Sequence, residues 1–159
     1  MEALISEVLV DSLPRAMDKG LDLGYDGVTD DDKRRFTKVQ GNPTLLKEMI
    51  RNLVDNAIHY TPSTEERMGV ITVRLLVDPY SQALAIQVED NGPGVTHNER
   101  ARIFERFARG SAGRSRSGGT GLGLALVAEH ARAHNGLAWV EDSPNGGARF
   151  VVEFPKVGS

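Results

Sequence analysis

The sequence predicts an α+β fold: a largely antiparallel sheet with helices packed on one face. Three observations predict it. Helical and strand periodicities alternate along the chain in the order helix, strands, helix, strand pair, helix, strand pair. Each of the two strand pairs is joined by a stretch dense in turn residues, "DPYSQ" and "SPNGG". The chain has 159 residues, which suits one domain with room for a sizeable core.

Residues 4–19 read as a helix, with Leu4, Ile5, Val8, Leu9, Leu13 and Met17 near helical spacing. Pro14 either kinks this helix or sits in the first turn of a second one capped by Ser12, and Gly20 is its stop. "LDLGYDG" and "RRFTKVQ" read as short strands on either side of an acidic turn, Asp30–Asp32. Asn42 as N-cap and Pro43 at the first helical position announce a helix that runs to about Tyr60. The strands "GVITVRLLV" and "ALAIQVE" follow. Residues 90–120 form a connection rich in Gly, Pro, Ser and Arg, interrupted by one apolar turn, "IFERF". Helix returns at about Leu122–His134 and stops at "HNG", with Gly136 as the expected residue just past its end. "LAWVED" and "ARFVVEF" close the chain as a hairpin.

Composition narrows the function classes. The net charge of −3 argues against a protein that binds nucleic acid over its whole surface. There is no cysteine, hence no disulfide framework and no thiolate metal site. "MEALISEVLVDSLPRAM" places acids where a secretory signal would have a basic start, and no apolar stretch is long enough to cross a bilayer. The chain as given reads as soluble. The long connection carries the opposite charge to the whole: residues 95–118 hold six Arg and two Glu, a local +4. A glycine- and arginine-rich loop of this length is either a solvated surface loop or a lid over an anionic ligand.

Three stretches carry candidate chemistry. Along the helix of residues 43–60, Glu48, Asn52, Asn56 and Tyr60 recur every fourth residue and so line one face, with Asp55 and His59 beside them. The opposite face is apolar: Leu46, Met49, Ile50, Leu53, Val54 and Ala57. Burying a row of polar groups is costly, so the row either hydrogen-bonds neighbouring elements or serves a ligand. An Asn oxygen is a suitable hard ligand for Mg²⁺. In "VEDNGPGV", Asp90 stands at a strand end, and Gly92 and Gly94 follow at alternate positions. A carboxylate there can accept a hydrogen bond from an exocyclic amine such as that of adenine. Taken alone, the stretch is also an ordinary turn. "GGTGLGLALVAEH" runs a glycine cluster into a helix, a geometry that favours anions. It matches neither the P-loop pattern, for want of Lys, nor the Rossmann spacing.

In combination and order, "NLVDN", "DNGPG", "IFERF" and "GTGLG" closely resemble the N, G1, F and G2 boxes of the sensor histidine kinase ATP-binding domain. This is the catalytic domain of two-component systems, in the wider family of gyrase, Hsp90 and MutL. The resemblance covers roughly residues 40–155 and implies the Bergerat fold, an α/β sandwich whose mixed sheet is backed by helices, with ATP held under a mobile lid at about residues 95–120. It implies one domain over 1–159 and the cofactors ATP and Mg²⁺. Asn56 resembles the Mg²⁺ ligand, and Asn52 lines the phosphate side. His59 takes the place of a basic residue near the phosphates, and Tyr60 that of an aromatic packing on adenine. Asp90 resembles the adenine-reading carboxylate, with Gly92 and Gly94 shaping that pocket. Phe104 and Phe107 are the F-box pair that would anchor the lid, and Arg106 or Arg109 the lid arginine on phosphate. Gly119, Thr120, Gly121, Leu122 and Gly123 resemble the loop over the phosphates. Glu48 matches a family position proposed to activate the acceptor histidine.

Two departures qualify the match. Ala148 stands where the closing "GGARFVVEFP" would have Thr in the family pattern, which puts one hydroxyl contact in doubt. None of the four histidines, 59, 97, 130 and 134, has the context of a phosphoacceptor box. His130 and His134 lie one turn apart without an evident third metal ligand, and read as a solvated helix end. The expectation is therefore a monomeric fragment, on the cytoplasmic side, of a membrane-bound homodimeric kinase. A dimerisation and phosphoacceptor domain would be its direct partner and a response regulator its indirect one, without direct nucleic-acid contact. The alternatives are an ATPase of the gyrase–Hsp90 type, an anti-sigma-type serine kinase, or a non-catalytic nucleotide-sensing module. The first would need a water-activating Glu where Asn52 stands.

Overall fold

The computed structural model describes residues 1–29, 37–78, 80, 83–105, 123–144 and 146–155. Five strands form one mixed sheet: β1 (Asp22–Asp26), β2 (Val70–Val77), β3 (Leu84–Asp90), β4 (Leu137–Asp142) and β5 (Ala148–Phe154), in spatial order β1-β2-β3-β5-β4. Helices α1 (Glu2–Asp18), α2 (Pro43–Tyr60) and α4 (Gly123–Ala133) pack together against it, and α3 (His97–Arg100) is a single turn. The two pairs expected from turn chemistry are antiparallel, β2 with β3 and β4 with β5. β1 lies parallel to β2 at the sheet edge. The other expected short strand, "RRFTKVQ", is not a strand over Thr37–Gln40, and its first part lies outside the described residues, as does the acidic turn.

Period-two patterning sets the core. Ile71, Val73, Leu75, Ile86, Val88, Phe150, Val152 and Phe154 share the helix-facing side of the sheet and are buried. They meet Leu46, Met49, Ile50, Leu53, Val54 and Ala57 of α2. The Asn42 side chain accepts hydrogen bonds from the N–H groups of Thr44 and Leu45, with Pro43 at the first helical position.

α1 runs through Pro14 as one helix. Pro14 removes the helical donor to the Val10 carbonyl, and Val10 is 71% exposed. Ser12 is no cap: it is fully buried and its Oγ accepts from Arg15. Gly20 has φ +76° and ends the helix as expected, with its N–H on Met17 O and that of Leu21 on Ala16 O. At the end of α4 the expectation shifts by one residue. Asn135 takes the left-handed conformation (φ 62°), and Gly136 follows it with its N–H on Ala131 O. Gly136 is needed for a different reason, because a Cβ there would lie 2.7 Å from Glu153 O.

α1 and α2 run in the same direction and are joined by a row of ion pairs: Glu7–Lys47 (3.3 Å), Asp11–Arg51 (3.6 Å) and Arg15–Asp55 (2.6 Å). Lys19 continues the row by donating to the carbonyls of Ile58 and His59 at the C-terminal end of α2.

Candidate functional site

α2 presents three faces. Its apolar stripe meets the sheet and its 47–51–55 row meets α1. The 48–52–56–60 row is left for the remaining side. Asn56 is 7% exposed, and among the described residues neither its Oδ1 nor its Nδ2 has a hydrogen-bond partner. The Asn52 Nδ2 is buried and unpartnered in the same way. Such groups cost about 1–3 kcal/mol each when left unsatisfied. Two such residues in one row mark this face of the helix as a candidate ligand face. Among the described residues no cluster of three His, Cys, Asp or Glu side chains could hold a metal. Asn56 nevertheless fits Mg²⁺, which accepts a single protein oxygen when phosphates and waters complete its shell. Asp55 does not join this side, since its carboxylate is paired with Arg15.

Asp90 ends β3 with its side chain on the helix side, 1% exposed. Its Oδ1 accepts two backbone N–H groups, from Gly92 at 2.9 Å and from Ala148 at 3.2 Å. The second contact explains a residue that sequence reasoning missed. A Cβ on Gly147 would stand 2.1 Å from Asp90 O and 2.5 Å from Asp90 Oδ1, so only glycine lets β5 approach this close. The signal was the Gly146-Gly147 doublet before an alternating strand. Ala148 contributes its backbone, which no side-chain exchange at that position removes. Gly94 needs glycine for its φ of +79°. Asn91, read only as a turn residue, ties the loop down: its Oδ1 accepts from Val70 N–H and its Nδ2 donates to Met68 O.

Tyr60 closes the row. It is half-buried and meets the exposed His59 edge-to-face, ring centroids 4.5 Å apart. With Pro62, Arg67, Asn91, Gly92 and Pro93 it lines a cavity of about 440 Å³. Of the "IFERF" turn, Ile103 is buried and Phe104 packs edge-on against Phe150 at 6.1 Å. Arg106, Phe107, Arg109, Gly119, Thr120, Gly121 and Leu122 lie outside the described residues, as does most of the expected lid. Gly123 is the first residue of α4, so the glycine run leads directly into that helix.

His130 and His134 are not a solvated helix end. His130 is 8% exposed, and its Nε2 lies 3.3 Å from Glu48 Oε2 without hydrogen-bond alignment. His134 Nε2 accepts the N–H of Asn42 at 3.1 Å, which leaves Nδ1 to donate to His130 O at 2.7 Å. On the opposite side of the sheet, Glu89 is 3% exposed between Arg74 (2.5 Å) and Arg149 (2.8 Å). Burial alone would raise its pKa, but hydrogen bonds from Arg74, Ser143 and Arg149 outweigh that and hold it below the usual value.

Residues 41–158 match the family model described as histidine kinase-, DNA gyrase B- and HSP90-like ATPase, and the chain belongs to that family. Within it, the relatives are sensor histidine kinases. The chain is 39% identical over 117 residues to the sensor-type histidine kinase PrrB of Mycobacterium tuberculosis, covering 74% of this chain and 24% of that one. It is 41% identical over 116 residues to the sensor histidine kinase CpxA of Escherichia coli, covering 72% and 24%. The chain thus spans about a quarter of the length of these relatives. The catalytic domain of the histidine kinase ThkA superposes with a TM-score of 0.77 at 28% identity over 98% of this chain and 93% of that one. The ATP-binding domain of PrrB from M. tuberculosis gives 0.68 at 28% identity, again over 98% and 93%. The expected mixed sheet backed by helices is therefore the fold of a histidine kinase catalytic domain.

Proposed function

We propose that this chain binds ATP·Mg²⁺ and, with a dimerisation and phosphoacceptor domain, transfers the γ-phosphoryl group of ATP to a histidine in two-component signalling. The carrying observation is the buried Asn56 amide, whose two polar atoms have no hydrogen-bond partner among the described residues. Asn56 would hold Mg²⁺, which would supply charge neutralisation at the nucleotide phosphates. Asp90, fixed by the N–H groups of Gly92 and Ala148, would accept the adenine amine. Tyr60 would pack on the ring, with Gly92 and Gly94 admitting it, and His59 would lie toward the phosphates. Asn52, Gly119, Thr120, Gly121, Leu122 and Gly123 would cradle the phosphates, and Arg106 or Arg109 would close over them.

An amide at position 52 cannot take a proton from water, which favours transfer to a histidine over hydrolysis. The parent would be a membrane-anchored homodimer with this domain on the cytoplasmic side, passing its phosphoryl group on to a response regulator. Among the described residues no helix is long and apolar enough to cross a membrane. Incubating the chain with ATP·Mg²⁺ and the phosphoacceptor domain should give acid-labile phosphohistidine. Steady phosphate release without it would make the chain an ATPase, and nucleotide binding without either product would make it a sensing module.

A further inference from the structure

We infer that His130 is a positioning residue for Glu48, so that the two side chains act as one unit in phosphoryl transfer; this rests on the kinase reading above. His130 is buried on α4, and its Nε2 lacks a hydrogen bond. The acceptor beside it is Glu48 Oε2 at 3.3 Å. A buried imidazole nitrogen without a partner is costly, and a small rotation of the carboxylate would satisfy it. Glu48 is the side chain free to move, because its side chain is 43% exposed against 10% for His130.

His130 itself is held. One turn on, His134 donates to the His130 carbonyl and accepts the N–H of Asn42, fastening the end of α4 to the start of α2. Gly41 makes this possible, since a Cβ there would lie 2.1 Å from the His134 ring. The His130 backbone is thus anchored and its ring is buried, while the more exposed carboxylate opposite it adjusts. Glu48 stands one turn before Asn52 and two before Asn56, at the end of the polar row away from Tyr60. α4 begins at Gly123, where the glycine run ends. The pair therefore links the helix behind the phosphate loop to the helix that carries the candidate Mg²⁺ ligand.

The chemistry gives such a carboxylate a task. A histidine attacking the γ-phosphorus forms an N–P bond as the bond from phosphorus to the ADP oxygen breaks. Its ring is positively charged until the remaining N–H proton is lost. A carboxylate stabilises that charge well only when it is held in place beforehand.

The test combines two measurements on the wild-type chain, Glu48→Gln, His130→Leu, His130→Gln and the Glu48→Gln/His130→Leu double variant. Phosphohistidine formation on the phosphoacceptor domain of the same kinase is followed at saturating ATP·Mg²⁺. Chemical unfolding of each variant supplies a double-mutant cycle. Each disabling single variant should slow transfer about tenfold or more with ATP affinity unchanged. The double variant should be no slower than the worse single one, and His130→Gln, which can still reach Glu48, should recover most of the rate. The unfolding cycle should show coupling of roughly threefold or more in the equilibrium constant. Effects on transfer that multiply in the double variant overturn the inference. So does additive unfolding, even with transfer intact. A wild-type chain that yields no phosphohistidine overturns the kinase reading, and the positioning role with it. Should His130→Leu fail to fold, His130→Asn, too short to reach Glu48, replaces it.

Discussion

Asp90 concentrates most of the site's geometry in one side chain. Its Oδ1 is occupied by the N–H groups of Gly92 and Ala148, so the loop after β3 and the start of β5 both converge on it. Asp90→Asn should lower ATP affinity about tenfold to a hundredfold, the value of one charge-assisted hydrogen bond, as measured by calorimetry. Unchanged affinity would remove Asp90 from the site. Gly147→Ala should act on the same point from the other side. A methyl group 2.1 Å from Asp90 O forces β5 away, at a cost of about 1–3 kcal/mol in unfolding free energy, with weaker ATP binding alongside. Wild-type stability in that variant would mean that the strand has room to spare. Asp90 was legible in the sequence because a carboxylate at a strand end, followed by alternate glycines, is a local pattern. Gly147 was not, because its reason is a contact with a residue far along the chain.

Among the elements, α2 shows where periodicity suffices and where it stops. Spacing alone separated its apolar stripe from the 48–52–56–60 row, and the structure keeps both. The third face was hidden. Asp55 was placed beside the polar row, but α1 supplies Glu7, Asp11 and Arg15 at intervals that match Lys47, Arg51 and Asp55. These pairs are exposed and contribute little stability each, but they fix which turn of α1 meets which turn of α2. β1 falls within the expected strand "LDLGYDG", but its pairing was not legible, because a five-residue strand carries no sign of whether its partner is parallel or antiparallel. The histidines of α4 misled because exposed and buried histidines at a helix end look alike in one dimension. The outer face of the sheet yields a pH prediction. Glu89, held below the ordinary value of 4.5, contributes stability that is fully present above that value and is lost as pH falls through its depressed folded-state pKa. Unfolding free energies of wild type and Glu89→Gln should therefore differ most above pH 4.5 and converge in acid. A constant difference across the acid range would show that the Arg74–Glu89–Arg149 cluster does not depend on charge.

At the scale of the whole molecule, the sheet and α2 pack together as a frame, and both candidate contact groups sit on it. Asp90 ends a central strand, Asn56 lies one turn before the end of the longest described helix, and the arginine-rich connection follows Asp90 in the chain. A buried amide without a partner is a burden to the empty protein, so Asn56→Ala should unfold no more easily than wild type, measured by thermal denaturation. The same variant gives the most direct test of the Mg²⁺·ATP site. ATP is titrated into wild type and Asn56→Ala by calorimetry, with Mg²⁺ and then with excess chelator. Wild type should bind at least tenfold more tightly with Mg²⁺ than without, and Asn56→Ala should bind with the same weakened affinity in both conditions. An equal Mg²⁺ dependence in the two proteins would contradict the assignment of Asn56 as the metal ligand.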